Sequence, residues 1–340
     1  MILTITPPHK GEGQGRGTHV MKQKLFIFAG LALLLVIIIY IAKDLFYGGT
    51  GDKTNPYEYD LEKLKKSDSL FVAYKEVQQI PVGLEEIHGI AIDQSDNLYV
   101  SGKNGIAVFD GSGKLQKKIA LEGTGWCIKV DLKGNIYIGM EDHIEIFDAN
   151  GKRTAKWETV NQNSILTGIA LKSKDLFVAD AGEKAVYHYD LKGKMINRIG
   201  EKDPQNNIPG FFIPSPYFDL GIDPSGKLWI VDPGRHTINQ FSFDGKLISS
   251  WGKTSIGVEG FCGCCNPSNI AFLSDGSFVT SEKSIERIKI YSPDGKYRYL
   301  VAKPDQFEEG TRGLDLAVDS KDRIIVLDPV KKLIRIFVHN

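Results

Sequence analysis

The sequence predicts an all-β fold: a six-bladed β-propeller with an N-terminal strand that closes the last blade, preceded by one transmembrane helix. A short motif recurs along the chain, in which an aromatic residue is followed by a turn that ends in Gly-Lys. The residues ahead of each copy alternate with a period of two, as in a β-strand. Strand-rich units repeated at roughly 40 to 50 residues are typical of propeller blades.

Each repeated unit contains three strand-like segments. The first is rich in small residues, as in Gly-Ile-Ala-Ile-Asp from Gly89, which suits an innermost strand where blades converge. The chain ends after the third segment of the last unit, whereas residues 70–77 form an unpaired segment ahead of the first. We expect residues 70–77 to supply the outer edge of the last blade. The motif aromatics are Phe109, Phe147, Tyr189, Phe241, Tyr291 and Phe337.

An apolar segment without charge covers residues 25–42. As a helix it would be about 27 Å long, enough to cross the hydrocarbon core of a bilayer. Lys22 and Lys24 precede it, so the positive-inside rule places the N-terminus in the cytoplasm. A cleaved signal peptide is the rival interpretation, but its apolar region is normally shorter and ends in a small-residue cleavage site.

These features divide the chain into a cytoplasmic tail (residues 1–24, with Met21 as an alternative start), a transmembrane signal anchor (25–42), a linker (43–68) and the propeller (69–340). The predicted location is the cell membrane, with a single span and the propeller on the outer, periplasmic or extracellular side. Lysine plus arginine equals aspartate plus glutamate at 42 each. No net positive field therefore attracts nucleic acid, and none is predicted as a partner.

Short motifs recur within and between the units. They are Gly-Ile-Ala-Ile-Asp from Gly89, Val-Ala-Asp from Val178, Val-Asp-Pro from Val231, Trp251-Gly252 with Gly260-Phe261 and Pro267, and Gly210-Phe211 with Pro214. They resemble the repeats of the NHL family, and the resemblance implies a propeller architecture. It does not specify a function, because NHL-type rings include a peptide-amidating lyase, protein-binding modules and many uncharacterised secreted proteins.

Aligning the units by their first segments brings one residue from each unit to the same mouth of the central channel. We expect a ligand-binding pocket there; the alternative is that these polar groups only hydrate a water-filled channel. The residues are His88, Trp126, Thr167, Asp219, Asn269 and Asp315, with Arg312 nearby.

A divalent cation is the one cofactor that this set suggests, since oxygen-rich sites favour calcium, magnesium or manganese. The amidating-lyase relatives carry several histidines as metal ligands, whereas only His88 begins an inner strand here, which argues against a three-histidine zinc site. His88 also stands where gluconolactonase-type relatives have a glutamate. A metal-dependent lyase or lactone hydrolase is thus the alternative to a binding function. The candidate ligands are His88, Asp219, Asn269 and Asp315.

Three of the four cysteines, Cys262, Cys264 and Cys265, lie in one loop, and the fourth is Cys127 at the start of an inner strand. Outside the cytoplasm they are expected to oxidise, and four cysteines allow three complete pairings. A structural disulfide and a soft-metal or redox site both remain open, because clustered thiolates suit copper(I), zinc or iron-sulfur chemistry.

Two long connections, residues 201–217 and 253–268, interrupt the short turns, and long loops in compact domains are often functional. The first contains Phe211, Phe212 and Tyr217, which predicts a partner-binding surface or packing of the loop on the ring itself. No nucleophile can be paired with a base from the sequence. The predicted function is therefore a membrane-tethered, non-catalytic propeller that binds a ligand or protein partner through this face.

Overall fold

The computed structural model describes residues 16–47, 71–158, 161–205, 209–263, 265–283 and 285–340. The chain divides into two compact units, Met1–Tyr59 and Asp60–Asn340. Most of the predicted tail and of the linker lies outside the described residues, as does Cys264.

The first unit contains helix α1 (Arg16–Tyr47), which includes the segment 25–42. Its side chains Leu31, Leu35 and Ile39 are exposed. The charged residues Lys24 and Lys43, expected to flank a separate span, belong to the same continuous helix. Over the described residues, no helix combines the length and the apolar character needed to cross a membrane, so the predicted transmembrane helix is not supported.

The second unit is all-β. Its described strands form six antiparallel sheets, with one 3-10 turn at Pro304–Gln306. The strands are β1 (Tyr74–Pro81), β2 (Ile87–Ile92), β3 (Leu98–Phe109), β4 (Leu115–Thr124), β5 (Cys127–Val130), β6 (Ile136–Gly139), β7 (Ile144–Phe147), β8 (Arg153–Trp157), β9 (Leu166–Lys172), β10 (Asp175–Asp180), β11 (Ala185–Asp190), β12 (Met195–Ile199), β13 (Leu220–Ile222), β14 (Leu228–Asp232), β15 (Thr237–Phe241), β16 (Leu247–Trp251), β17 (Asn269–Phe272), β18 (Phe278–Ser281), β19 (Ile288–Tyr291), β20 (Tyr297–Ala302), β21 (Asp315–Val318), β22 (Ile324–Asp328) and β23 (Leu333–His339).

The sheets are six blades around one axis. Each blade begins at its inner strand, and the inner strands are β2, β5, β9, β13, β17 and β21. Every inner strand contacts the next one, and β21 contacts β2. The ring is therefore closed, which confirms the six-bladed propeller predicted from the repeats.

Blade 1 departs from the four-stranded pattern of the others. Its long strand β3 pairs with β2 through its first half and with β4 through its second half. Asn104, at the junction, has a positive φ of 60°, a conformation that asparagine adopts more readily than most residues. β3 thus takes the place of both middle strands.

Small residues on the inner strands let neighbouring blades approach each other closely. A Cβ added to Gly168 on β9 would lie 2.6 Å from Oδ1 of Asp219 in the next blade, and one added to Gly89 on β2 would lie 3.0 Å from the Cα of Cys127. Any larger residue would force the blades apart. The composition of the first segment in each unit therefore has the packing reason expected of an innermost strand.

An N-terminal strand closes the ring, as predicted. β1 pairs antiparallel with β23 as the outer strand of blade 6, in a register that runs from Tyr74 opposite His339 to Pro81 opposite Leu333. The strand begins at Tyr74 rather than residue 70, because Val72 already bridges to Leu300 in blade 5.

Arg335 on β23 joins the first and last strands of the propeller. Its guanidinium donates from Nε and Nη2 to the two carboxylate oxygens of Glu76 on β1, at 2.9 and 2.6 Å. Nη1 lies 3.3 Å from Oδ2 of the buried Asp328. A bidentate pair of this kind has fixed geometry, so it specifies the register of the closing strand.

Replacing Arg335 with Ala should lower the free energy of unfolding by about 3 kcal/mol or more, because it leaves the buried Asp328 without its cation. Urea unfolding measures this loss. The matched control is Arg298→Ala, which removes an exposed pair with Asp275 and should cost less than about 1 kcal/mol. Equal losses in the two variants would contradict a closing role for Arg335.

Candidate ligand-binding site

A cavity of about 550 Å³ lies at the mouth where the inner strands begin. We call it the channel-mouth cavity. Five of the seven residues predicted for this mouth line it: His88, Trp126, Thr167, Asn269 and Arg312. The remaining wall is mostly apolar and includes Ile165, Pro216, Tyr217, Phe218, Pro329 and Val330, together with Glu141. Five residues that the alignment of the units placed at one mouth thus line one cavity, and ligand binding there stays a prediction.

Trp126 and His88 form an aromatic pair on one side of the cavity. Their ring centroids are 4.2 Å apart and their planes differ by 37°. The backbone N–H of Trp126 donates to the carbonyl of Gly139 at 2.8 Å, and its side chain is 41% exposed. Burial lowers the pKa of His88, and the hydrogen bond and the charge of Glu86 oppose this shift.

The polar groups of the wall fall into two classes. Thr167 donates to the carbonyl of Phe218 at 2.5 Å, and Asn269 donates to Asp315 at 3.2 Å, so both already bond to the protein. The rim carries two exposed charges, Glu141 and Arg312. Arg312 also hydrogen-bonds to Tyr217, which opposes the rise that burial causes in the pKa of Tyr217.

Asp219 and Asp315, predicted to line the mouth, do not line this cavity. Oδ2 of Asp219 accepts a hydrogen bond from the backbone N–H of Ile270 in the next blade, at 2.9 Å. Oδ2 of Asp315 accepts from the N–H of Ile90, also in the next blade, at 2.8 Å. Each carboxyl therefore links two inner strands, a structural role that satisfies buried amides.

Burial raises the pKa of both carboxyl groups. The pKa of Asp219 rises to about 8 because the group is desolvated and also faces Asp315. The pKa of Asp315 rises to about 6 through desolvation, against the hydrogen bonds it accepts and the charge of Lys129. Two neighbouring carboxyls in a poorly solvated channel disfavour simultaneous ionisation.

The predicted metal site is not assembled in the described part of the chain. There, no group of three or more His, Cys, Asp or Glu side chains is arranged to hold a metal ion. The reason is visible at Asp219 and Asp315, whose oxygens bond to backbone amides. His88 lies in the wall of the cavity, packed against Trp126.

No family model matches the chain, and no curated protein matches it. Solved structures do. A streptogramin B lyase is 13% identical, with a TM-score of 0.56 over 78% of this chain and 98% of that one. A selenomethionine-substituted virginiamycin B lyase from Staphylococcus aureus is 14% identical, with a TM-score of 0.53 over 77% and 88% of the two chains.

A third structure, a catalytically inactive variant of the Staphylococcus aureus virginiamycin B lyase with quinupristin, is 14% identical, with a TM-score of 0.53 over 74% of this chain and 81% of that one. The likeness shows the fold alone. It agrees with a six-bladed propeller, and membership of the NHL-repeat family stays a prediction.

Among the cavity residues that the sequence alignment missed are Glu141, Ile165 and Val330. Glu141 and Val330 lie in the turns that join the second and third strands of blades 2 and 6, and Ile165 precedes β9. An alignment by inner-strand starts does not reach such turns. The run Ile136-Tyr137-Ile138 in β6 predicts a buried strand, but it does not specify the direction of the turn that follows.

The opposite mouth has different chemistry. A cavity of about 460 Å³ is lined there by the ends of the inner strands, including Asp93 and Asp131. These carboxylates accept hydrogen bonds from their own turns, for example from the amide nitrogens of Ser95 and Lys133 at 2.8 Å. The repeated aspartates therefore shape turns, while Leu132 stands exposed beside them.

The described cysteines form no disulfide: Cys127, Cys262 and Cys265 are all buried thiols. Burial, together with Asp315 and Asp219, strongly raises the pKa of Cys127. Burial also raises the pKa of Cys262, although Arg287 and Lys289 oppose the shift. The predicted disulfide staple is thus not formed by these three residues, and none of them belongs to a group of His, Cys, Asp or Glu side chains arranged to hold a metal ion in the described part of the chain.

Ionic contacts rather than a disulfide anchor the loop 253–268. The ammonium of Lys289 lies 2.8 Å from Oε1 of the buried Glu282 and donates to the loop carbonyls of Val258 and Gly260, at 3.1 and 2.6 Å. Burial lowers the pKa of Lys289 to about 8, against the attraction of Glu282. Cys265 accepts a hydrogen bond from Ser215 at 2.7 Å.

The three aromatic residues of the other long loop have three different environments. Phe211 is buried and packs against Phe218 and Phe241, with ring centroids 5.0 and 5.6 Å apart. Phe212 is 50% exposed, and Tyr217 lines the channel-mouth cavity. Phe211 therefore belongs to the core and not to a partner-binding surface, because its ring packs in a cluster of buried residues from blades 3 and 4.

Replacing Asp219 with Asn tests the buried carboxyl. Its folded pKa of about 8 lies above the ordinary 3.8, so the folded state binds this proton more tightly than the unfolded chain. The stability that Asp219 contributes is complete below about pH 4 and is lost as the pH rises through about 8. Between about pH 5 and 8, the free energy of urea unfolding should fall more steeply in the wild type than in Asp219→Asn.

The matched control is Asp294→Asn. Hydrogen bonds from Lys296 and Ser292 lower the pKa of this exposed turn residue to about 2, so it stays ionised throughout the tested range. Its variant should keep the wild-type slope. Identical slopes for the wild type and Asp219→Asn would contradict a raised pKa in the channel.

Iodoacetamide labelling tests the state of the thiols, since only thiolates react. In the folded protein at about pH 8, Cys127 and Cys262 should stay unmodified, and both should be alkylated after denaturation. Peptide mass spectrometry reads the two sites. A disulfide-linked Cys127 peptide, or equal labelling rates before and after denaturation, would show that the thiols are not protected by burial.

Proposed function

We propose that the propeller is a non-catalytic binding protein that takes a ligand at the channel-mouth cavity. The observation that carries the proposal is the partly exposed Trp126 over a concave, largely apolar wall of about 550 Å³. Ligand sites are typically cavities of about 300 to 1,000 Å³ with aromatic and apolar walls and few polar groups. Exposed aromatic residues in such positions dominate binding energies.

The rigidity of the wall supports the proposal. The ring of His88 packs against Trp126, and the backbone hydrogen bond to Gly139 holds the position from which the indole projects. The cavity residues come from all six blades, and the closed ring fixes the blades relative to one another. A preformed site loses little conformational entropy on binding.

The alternatives have less in their favour. A metal-dependent lyase or lactone hydrolase is supported by the fold that the chain shares with streptogramin and virginiamycin lyases. A redox role for the cysteine loop would call for reactive thiolates, whereas burial raises the pKa of Cys262. The location at the outer side of the cell membrane, with a cytoplasmic N-terminus, stays a prediction from the lysines ahead of the apolar segment.

Titration with indole, a neutral aromatic probe, tests the binding site. We expect saturable binding in saturation-transfer NMR, and at least about tenfold weaker binding in Trp126→Ala, because the stacking surface is lost. The control is Leu132→Ala, which removes an exposed apolar side chain at the opposite mouth and should leave binding unchanged. Absence of saturable binding by the wild type would refute the proposed site.

Incubation with quinupristin separates binding from catalysis. If the protein only binds ligands, quinupristin should remain intact, with or without added Mg²⁺. Mass spectrometry of the incubated compound shows whether it has been cleaved. Cleavage that increases with the metal would replace the non-catalytic proposal by the lyase alternative.

A further inference from the structure

The rim of the channel-mouth cavity carries opposite charges without ionic partners. Among the described residues, no carboxylate lies within ion-pair distance of the Arg312 guanidinium, and no cation lies within that distance of the Glu141 carboxylate. Both side chains are exposed and line the cavity. Other arginines of the propeller, such as Arg335 and Arg287, are paired with carboxylates.

The two charges flank the aromatic pair. Arg312 precedes inner strand β21 of blade 6, and Glu141 lies in the turn between β6 and β7 of blade 2. Blade 1, which lies between these two blades, contributes His88, and the ring of His88 lies 4.2 Å from the ring of Trp126 in blade 2. A ligand whose body rests on the indole therefore has an anion-binding group on one side and a cation-binding group on the other.

We infer that the site recognises a short peptide with free termini and an aromatic side chain. The inference rests on the proposed function of this cavity. The ring of the peptide stacks on Trp126, its carboxylate pairs with Arg312, and its ammonium pairs with Glu141. Arginine suits a carboxylate because its donors match the two oxygens.

Charge complementarity favours this class over singly charged aromatic ligands. When a ligand fills the cavity, water is displaced from both rim residues, and a charge left without a partner pays a desolvation penalty. An aromatic acid compensates Arg312 and leaves Glu141 unpaired, and an aromatic amine does the reverse. A zwitterion compensates both, and a cavity of about 550 Å³ has room for a di- or tripeptide, as typical ligand pockets do.

The test compares the dipeptide Phe-Ala with its C-terminal amide and its N-acetyl derivative, by isothermal titration calorimetry with the full chain. The free dipeptide should bind about tenfold more tightly than either blocked form, the effect of one charge-assisted bond at a partly exposed site. Arg312→Gln should weaken the free dipeptide to the level of the amide while leaving the amide unchanged. Glu141→Gln should do the same for the acetylated form.

The matched control is Arg298→Gln, which removes one positive charge on the outer strand β20 and should preserve all three affinities. If indole binds through Trp126 but blocking either terminus changes nothing, the peptide inference is wrong and the binding site stands. If neither indole nor the dipeptide binds the wild type, the proposed function itself fails. Dipeptide binding that survives both Trp126→Ala and Arg312→Gln would place the peptide elsewhere and overturn the inference.

Discussion

The antiparallel pairing of β1 with β23 is the constraint on which the other features depend. Six sheets around one axis leave the last blade without an outer strand unless the N-terminal segment supplies it. Arg335 bridges the two strands and also contacts the buried Asp328. Once the ring is closed, inner strands from distant parts of the sequence meet at one mouth. A cavity forms there between the blades, and no additional helix or strand is needed to build it.

The channel shows how polar residues at equivalent positions take different roles. Asp219 directly precedes inner strand β13 and Asp315 begins β21, close to the positions of His88 and Thr167 in their own blades. The oxygens of the two aspartates, however, accept hydrogen bonds from amides of the neighbouring blade. A buried amide without a hydrogen-bond partner lowers the stability of the fold. The main role of these two carboxyl groups is therefore structural. Their raised pKa values follow from the same burial. Polar character at the start of an inner strand therefore does not by itself indicate a ligand contact.

The chemistry of the mouth depends on the side chains that the fold leaves exposed to the cavity. Thr167 and Asn269 donate hydrogen bonds to other groups of the protein. The indole of Trp126 and the charged side chains of Glu141 and Arg312, in contrast, line the cavity. The cysteine loop, residues 253–268, contributes to packing instead. It is anchored by Lys289 and Glu282, and its Cys262 is buried with a raised pKa. The cluster of cysteines, conspicuous in the sequence, is therefore part of the packed structure.

The sequence by itself determined the blade number and the closing strand, and it placed His88, Trp126 and Arg312 at the mouth where the structure has a cavity. Strand periodicity and repeat alignment are local properties that closure of the ring preserves. Only the tertiary structure decided that Asp219 supports a neighbouring blade, that Phe211 is core, and that Glu141 reaches the mouth. Those outcomes depend on distances between blades and on the direction of turns. Sequence periodicity encodes neither the distances between blades nor the directions of turns, because both arise when separate sheets pack around a common axis.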